Sequence, residues 1–213
     1  MHSPLVKFPD RRILLAPRYF GSIDYYASMA AFGSAVVDTS MHFDKRRKET
    51  HRCLIADTRG ELMLTVPIEK PSGRGWADVK VSAHGAWWNV HRVALESAYG
   101  RTPFFEFYID RFLPFLRERI PGQGEGVIAL DGAIDAVVRD ILLIDSPVSY
   151  SAVRNVGSDD CDCRQGEMPV SCTMPYYQVR AAKLGFISGL SILDLIFNLG
   201  PESPEYLRSA IYG

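Results

Sequence analysis

The chain has 213 residues, 47% of them hydrophobic and 23% charged, with a formal net charge of −1. These are the proportions of an ordinary globular protein, long enough to bury a sizeable core within one domain. Near-neutrality excludes a global basic field for attracting nucleic acid. The most apolar stretch, 184–199, is interrupted by Gly185, Ser188, Gly189, Ser191, Asp194 and Asn198. A membrane span needs about 20 mostly apolar residues, so none is expected. Residues 1–12 carry Lys7, Asp10, Arg11 and Arg12 without a long apolar run. They read as an N-terminal extension rather than an export signal, and a cytoplasmic location is expected.

In chain order, 13–16 is a short apolar run that predicts a buried first strand. Pro17 to Gly21 punctuates a turn, and Ser22 can cap a helix whose face holds Ile23, Tyr26, Met29 and Ala30. A second apolar run over 35–37 completes a βαβ unit with a parallel pair. A dense polar segment over 42–52 follows. Next, 53–56 and 62–66 flank a turn at 57–60 and predict an antiparallel hairpin. A loop over 67–76 and a short strand over 79–81 precede a helix over 85–99 that stops at Gly100. An aromatic-rich helical segment over 104–116 and a loop over 121–126 lead to the longest clean helix, 127–144. Its apolar stripe is Val127, Leu130, Ile134, Val137, Val138 and Ile141. A strand over 148–152, a polar loop over 155–172 expected to be mobile, and helices over 176–184, 191–199 and 202–211 complete the reading. The expectation is one α/β domain over 1–213, with a βαβ start, a mixed sheet, flanking helices and a helical C-terminal half.

Three segments could carry chemistry. The segment 43–52 concentrates Lys45, Arg46, Arg47, Lys48, His51 and Arg52. Guanidinium and ammonium groups bind phosphate or carboxylate, and a histidine beside them can move a proton near neutral pH. It also lies just past Asp38, at the carboxyl end of a predicted parallel strand, where ligands of open α/β sheets gather. In the second segment, Trp88, His91, Arg92, Glu96 and Tyr99 mix aromatic and polar groups suited to stacking on a sugar or nucleotide. In the third, Asp194 and Asn198 lie four residues apart in a very apolar run, where each must find a partner. Cys53 shares a strand face with His51 and is a weak candidate nucleophile. The other cysteines, Cys161, Cys163 and Cys172, lack the spacing and the fourth ligand of a zinc site. No metal or cofactor is expected. No phosphate-binding glycine loop, GxSxG elbow or HExxH motif occurs.

Four blocks, in order, resemble the WbqC-like family of bacterial proteins associated with surface-polysaccharide gene clusters. They are Ala16-Pro17-Arg18-Tyr19-Phe20 with Tyr25-Tyr26; Asp38, Phe43-x-Lys45 and His51-Arg52-Cys53 with Leu64-Thr65-Val66-Pro67; Trp88-x-x-His91-Arg92 through Glu96-x-x-Tyr99 to Pro103-Phe104-Phe105; and Gly185-Phe186-Ile187 with the run 190–201. The resemblance implies a cytoplasmic enzyme of O-antigen-type biosynthesis, a transferase acting on an activated sugar or amino-sugar precursor. His91 would be the base, oriented by Glu96 or Asp194. Tyr19, Asp38, Lys45, His51, Arg52, Trp88, Arg92, Tyr99 and Asn198 would bind substrate, with Lys45, His91 and Asp194 converging on one site. The expected partner is a small molecule, and a homo-oligomer is compatible with the sequence. A non-catalytic ligand-binding or scaffold protein and a nucleotide-using ligase or nucleotidyltransferase are the alternatives.

Overall fold

The computed structural model describes residues 7–118 and 126–212. β1 (Phe8–Leu15) pairs in parallel with β2 (Phe32–Asp38), and α1 (Ile23–Ala31) connects them, forming the expected βαβ unit. β5 (Val148–Ser151) adds in parallel to β2, and β6 (Cys161–Asp162) adds in parallel to β1. The sheet order is β5-β2-β1-β6. β3 (Arg52–Asp57) and β4 (Gly60–Thr65) form a separate antiparallel hairpin. Helices α2 (Trp87–Tyr99), α3 (Phe105–Phe112), α4 (Val127–Ile141), α5 (Ala181–Leu184), α6 (Ile192–Leu199) and α7 (Ser203–Tyr212) fill the rest, so the C-terminal half is helical as expected. No helix among the described residues is long and apolar enough to cross a membrane.

Several boundaries differ from the sequence expectation for physical reasons. β1 begins five residues before Ile13, inside the segment assigned to an extension. Only Ile13, Leu14 and Leu15 are fully buried, so the outer half of the strand carries no apolar signal and is held by ladder pairing. Within 155–172, expected as a mobile loop, β6 supplies the fourth strand. Cys163 N–H donates to the Leu14 carbonyl (2.9 Å), Arg12 pairs with Asp160 (2.5 Å), and Val170 N–H donates to Ser28 Oγ (3.1 Å). Backbone pairing, not side-chain periodicity, makes that strand. The strand expected over 79–81 reduces to isolated bridges, Ile68 with Val81 and Lys80 with Gly126. Of the helix expected over 176–184 only α5 forms, because Tyr176 and Gln178 turn inward to Asp194. The loop expected over 121–126 lies outside the described residues except for Gly126.

α6 is the hub of the helical half. Its residues 192–198 are all buried, and the Phe197 ring lies 5.3 Å from Tyr99, 5.0 Å from Phe105 and 6.1 Å from Phe112. A helix buried on all sides sits inside the core, and its two polar residues, Asp194 and Asn198, are hydrogen-bonded there. This burial fixes where α6 starts. Its N-cap, Ser191, forms a bridge with Ser22, the N-cap of α1.

Candidate functional site

A cleft of about 320 Å³ opens at the junction of three segments: the turn 18–22 after β1, the start of β3, and the approach to α6. Local backbone bonds stitch these together. Tyr19 N–H donates to the Glu49 carbonyl (3.1 Å), Ser191 N–H to that of Leu54 (2.8 Å), and Ser191 Oγ–H to that of Phe20 (2.9 Å). Phe20 sits at φ 43°, a left-handed conformation that a bulky side chain rarely adopts. Its ring is 1% exposed and packs edge-on to Tyr19 and Phe112, so core packing overrides the local preference. Backbone held off its preferred region is common where the surrounding structure fixes a functional turn.

Arg18, Arg46, Lys48 and Arg52 line the cleft against one carboxylate, Glu49. Arg46 is tied to Asp44 by an exposed pair (3.0 Å), and the Arg18 guanidinium lies 5.4 Å over the Tyr25 ring. Arg52 Nε is buried without a hydrogen-bond partner among the described residues. The starts of α1 and α6 also lie on this cleft, through Gly21, Ser22 and Ser191. Helix N-termini carry partial positive charge. Cations and helix ends of one sign make an anion-binding surface.

Tyr19 forms part of the cleft wall, and behind it His91 is 2% exposed with both ring nitrogens engaged. Nε2 lies 3.1 Å from the Thr65 carbonyl, which can only accept, so Nε2 carries the proton. Nδ1 then accepts from the Tyr19 hydroxyl at 2.9 Å. Burial pulls the His91 pKa down to about 4, with the Thr65 bond opposing only in part. Burial likewise pushes the Cys53 thiol up, against a hydrogen bond with Ser191. Cys53 therefore stays a thiol, and neither group is an activated base or nucleophile at neutral pH.

The other residues singled out in the sequence fall at six further places. Lys45 is exposed, while its neighbours Arg46 and Lys48 reach the cleft. His51 is buried, its Nδ1–H donating to the Val66 carbonyl (2.9 Å), and desolvation lowers its pKa. Trp88 and Arg92 line a surface groove of about 370 Å³ with Asn89, Leu113 and Leu116. Glu96 is exposed on α2 whereas His91 points into the core. Tyr99 and Asp194 line a void of about 10 Å³, room for one water. Asp194 accepts from the Tyr176 and Tyr99 hydroxyls and from Gln178 Nε2 (3.0 Å), and burial raises its pKa despite them. Asn198 Nδ2–H bonds the Asp194 carbonyl (2.8 Å), and its Oδ1 accepts from Val179 N–H (3.0 Å). Asp38, 1% exposed, accepts from Ser40, Val153 N–H and Arg164 (2.6 Å) at the carboxyl edge of the sheet. Burial raises its pKa, but those donors outweigh it and hold it below the usual range. Tyr19 and Arg52 share the cleft, with His91 behind. Lys45, His91 and Asp194 share no lining and no hydrogen-bond partner among the described residues.

Sequence reasoning missed Arg18 and Ser191 as cleft residues, and it missed Asp131 and Asp135 on α4. Both acids are buried, at 0% and 1% exposure. The signal was present, since 131 lies four residues after Val127 and three before Ile134, within the apolar stripe.

No curated protein and no solved structure matches the chain. The profile of the WbqC-like protein family does match, over residues 16–156, more than half of the 213. That span contains the turn 18–22, the cationic run and the start of β3, so the cleft is built largely from it, and the chain belongs to the WbqC-like protein family.

Proposed function

We propose that the protein is a transferase acting on an activated sugar or amino-sugar precursor of a bacterial surface polysaccharide, and that the phosphate of this precursor sits in the cleft. The observation that carries the reading is the convergence of Arg18, Arg46, Lys48, Arg52 and two helix starts on one cavity of about 320 Å³. Phosphate is the anion that arginine forks and helix ends hold best. The Tyr19 hydroxyl donates to His91, which holds the ring in the cleft wall. On this reading His91 is a positioning residue that fixes Tyr19.

Isothermal titration with pyrophosphate and UDP-N-acetylglucosamine tests the proposal. Losing one charge-assisted contact costs about 1.5–3 kcal/mol, so Arg52→Ala should weaken both ligands by roughly 10- to 100-fold. The exposed turn residue Arg59 serves as control. Absence of binding by either ligand, or equal binding by Arg52→Ala, sinks the reading. A binding role without turnover is the second reading, favoured by the engagement of both His91 ring nitrogens and by the buried, un-ionised thiol of Cys53. It prevails if the sugar nucleotide binds but is recovered unchanged with every acyl or aminoacyl donor offered.

A further inference from the structure

Asp131 and Asp135 lie one turn apart on α4, and that face is packed into the core. Neither oxygen of Asp131 has a hydrogen-bond partner among the described residues, and neither does Asp135 Oδ1. Asp135 Oδ2 takes a bond from Arg139 Nε at 2.7 Å. Three tyrosines stand around the pair. Tyr25 and Tyr26 of α1 meet edge to face at 5.2 Å, and Tyr150 of β5 packs where α4 has Gly132, a Cβ there lying 3.4 Å from the ring. The hydroxyls of Tyr26 and Tyr150 lie beside Asp135. The Tyr25 ring packs against Gly21 of the cleft, where a Cβ would lie 2.7 Å from it. Arg18, another cleft residue, covers the Tyr25 ring. Tyr25 therefore stands between the acid cage and the anion cleft.

A helix that only packs would place Leu or Ala at 131. A fully buried carboxyl with both oxygens unmet indicates a missing donor, because buried polar groups are almost always paired. The charge count sets its sign and size. With both acids ionised against Arg139, the pair carries one negative charge, which one monocation balances. Asp131 Oδ1, Asp131 Oδ2 and Asp135 Oδ1 offer three acceptors, and a primary ammonium has three N–H donors. Tyrosine rings favour such a cation further. A divalent metal fits less well, since it prefers six or more oxygens. Among the described residues no group of three His, Cys, Asp or Glu side chains could hold one.

We propose that Asp131 and Asp135 bind a primary ammonium on the same ligand whose phosphate occupies the cleft, so the substrate class is an amine-bearing phosphate ester. The proposal rests on the anion reading of the cleft. Both acids are closed to solvent in this conformation, so entry requires Tyr25 to turn aside, and slow association follows. Burial and the neighbouring Asp135 raise the Asp131 carboxyl well above the usual range. Tyr19, Tyr25, Tyr26, Tyr150, Cys53 and Arg139 are the other titratable groups around it.

Titration calorimetry with 2-aminoethyl phosphate and ethyl phosphate separates the two claims. The wild type should prefer the amine at least tenfold. Asp131→Asn should abolish the preference and leave ethyl phosphate unaffected, and Asp135→Asn should reduce it. Arg52→Ala should weaken both probes. Equal affinity for the two probes in the wild type, or a preference that survives in Asp131→Asn, overturns the amine site while the anion cleft stands. Failure of both probes to bind overturns the cleft reading and the amine site with it. Direct binding of Mg²⁺ that Asp131→Asn abolishes also overturns the amine site, in favour of a metal.

Discussion

His91 shows how a single buried side chain writes itself into the pH dependence of the whole chain. Its folded pKa is about 4, against an ordinary 6.5. A depressed folded value means that the stability it contributes is present above 6.5 and is lost as pH falls toward 4, because the unfolded chain takes up a proton that the folded one refuses. The wild type should therefore lose up to about 1.4 kcal/mol more per pH unit than His91→Asn between pH 6.5 and 4, on the order of 3 kcal/mol in all. Urea unfolding at pH 7.5, 5.5 and 4.5 measures the two slopes, and parallel slopes would refute the assignment. Much of this neighbourhood was legible at the residue scale. Tyr19, Arg52 and His91 stand out from residue type and block order. Which lysine or arginine of 45–48 reaches the cleft was not legible, since a loop has no period to orient its side chains. Asp131 was legible by helix arithmetic but hidden by reading the stripe as purely apolar.

At the scale of elements, β1 and β2 approach so closely at one point that the pairing depends on a glycine. A Cβ on Gly33 would lie 1.8 Å from the Pro9 carbonyl oxygen, backbone that cannot rotate away. The register shift between Phe8 and Arg12 brings Pro9 there. Gly33→Ala should cost at least about 3 kcal/mol by forcing the strands apart, whereas Gly166→Ala, with nothing within 4 Å, should stay within about 0.5 kcal/mol. Denaturant midpoints decide it, and similar midpoints would show that the strands yield cheaply. The βαβ unit, the hairpin and the long helix were legible because each buries a periodic face. β6 was not, since two residues paired through backbone leave no pattern. The helix expected over 176–184 failed because inward bonds from Tyr176 and Gln178 to Asp194 are tertiary contacts that local propensity does not encode.

For the molecule as a whole, the cationic cleft and the acid cage place opposite charge on either side of Tyr25, in a chain whose net charge is only −1. Such an arrangement trades stability for recognition. A buried, unpaired carboxyl destabilises the fold by about 1–3 kcal/mol, and more once ionised. For an acid whose folded pKa is raised, the relative stability is full below the ordinary value of 3.8 and is lost as pH rises toward the folded value. Replacing Asp131 with Asn removes that loss while keeping the shape. Asp131→Asn should therefore raise the melting temperature of the ligand-free protein, and raise it more at pH 8 than at pH 5. Thermal unfolding followed by circular dichroism at the two pH values reads the difference directly. A variant that melts lower than the wild type at both would mean that Asp131 is already paired within the fold, and its orphaned oxygens would no longer point to a ligand.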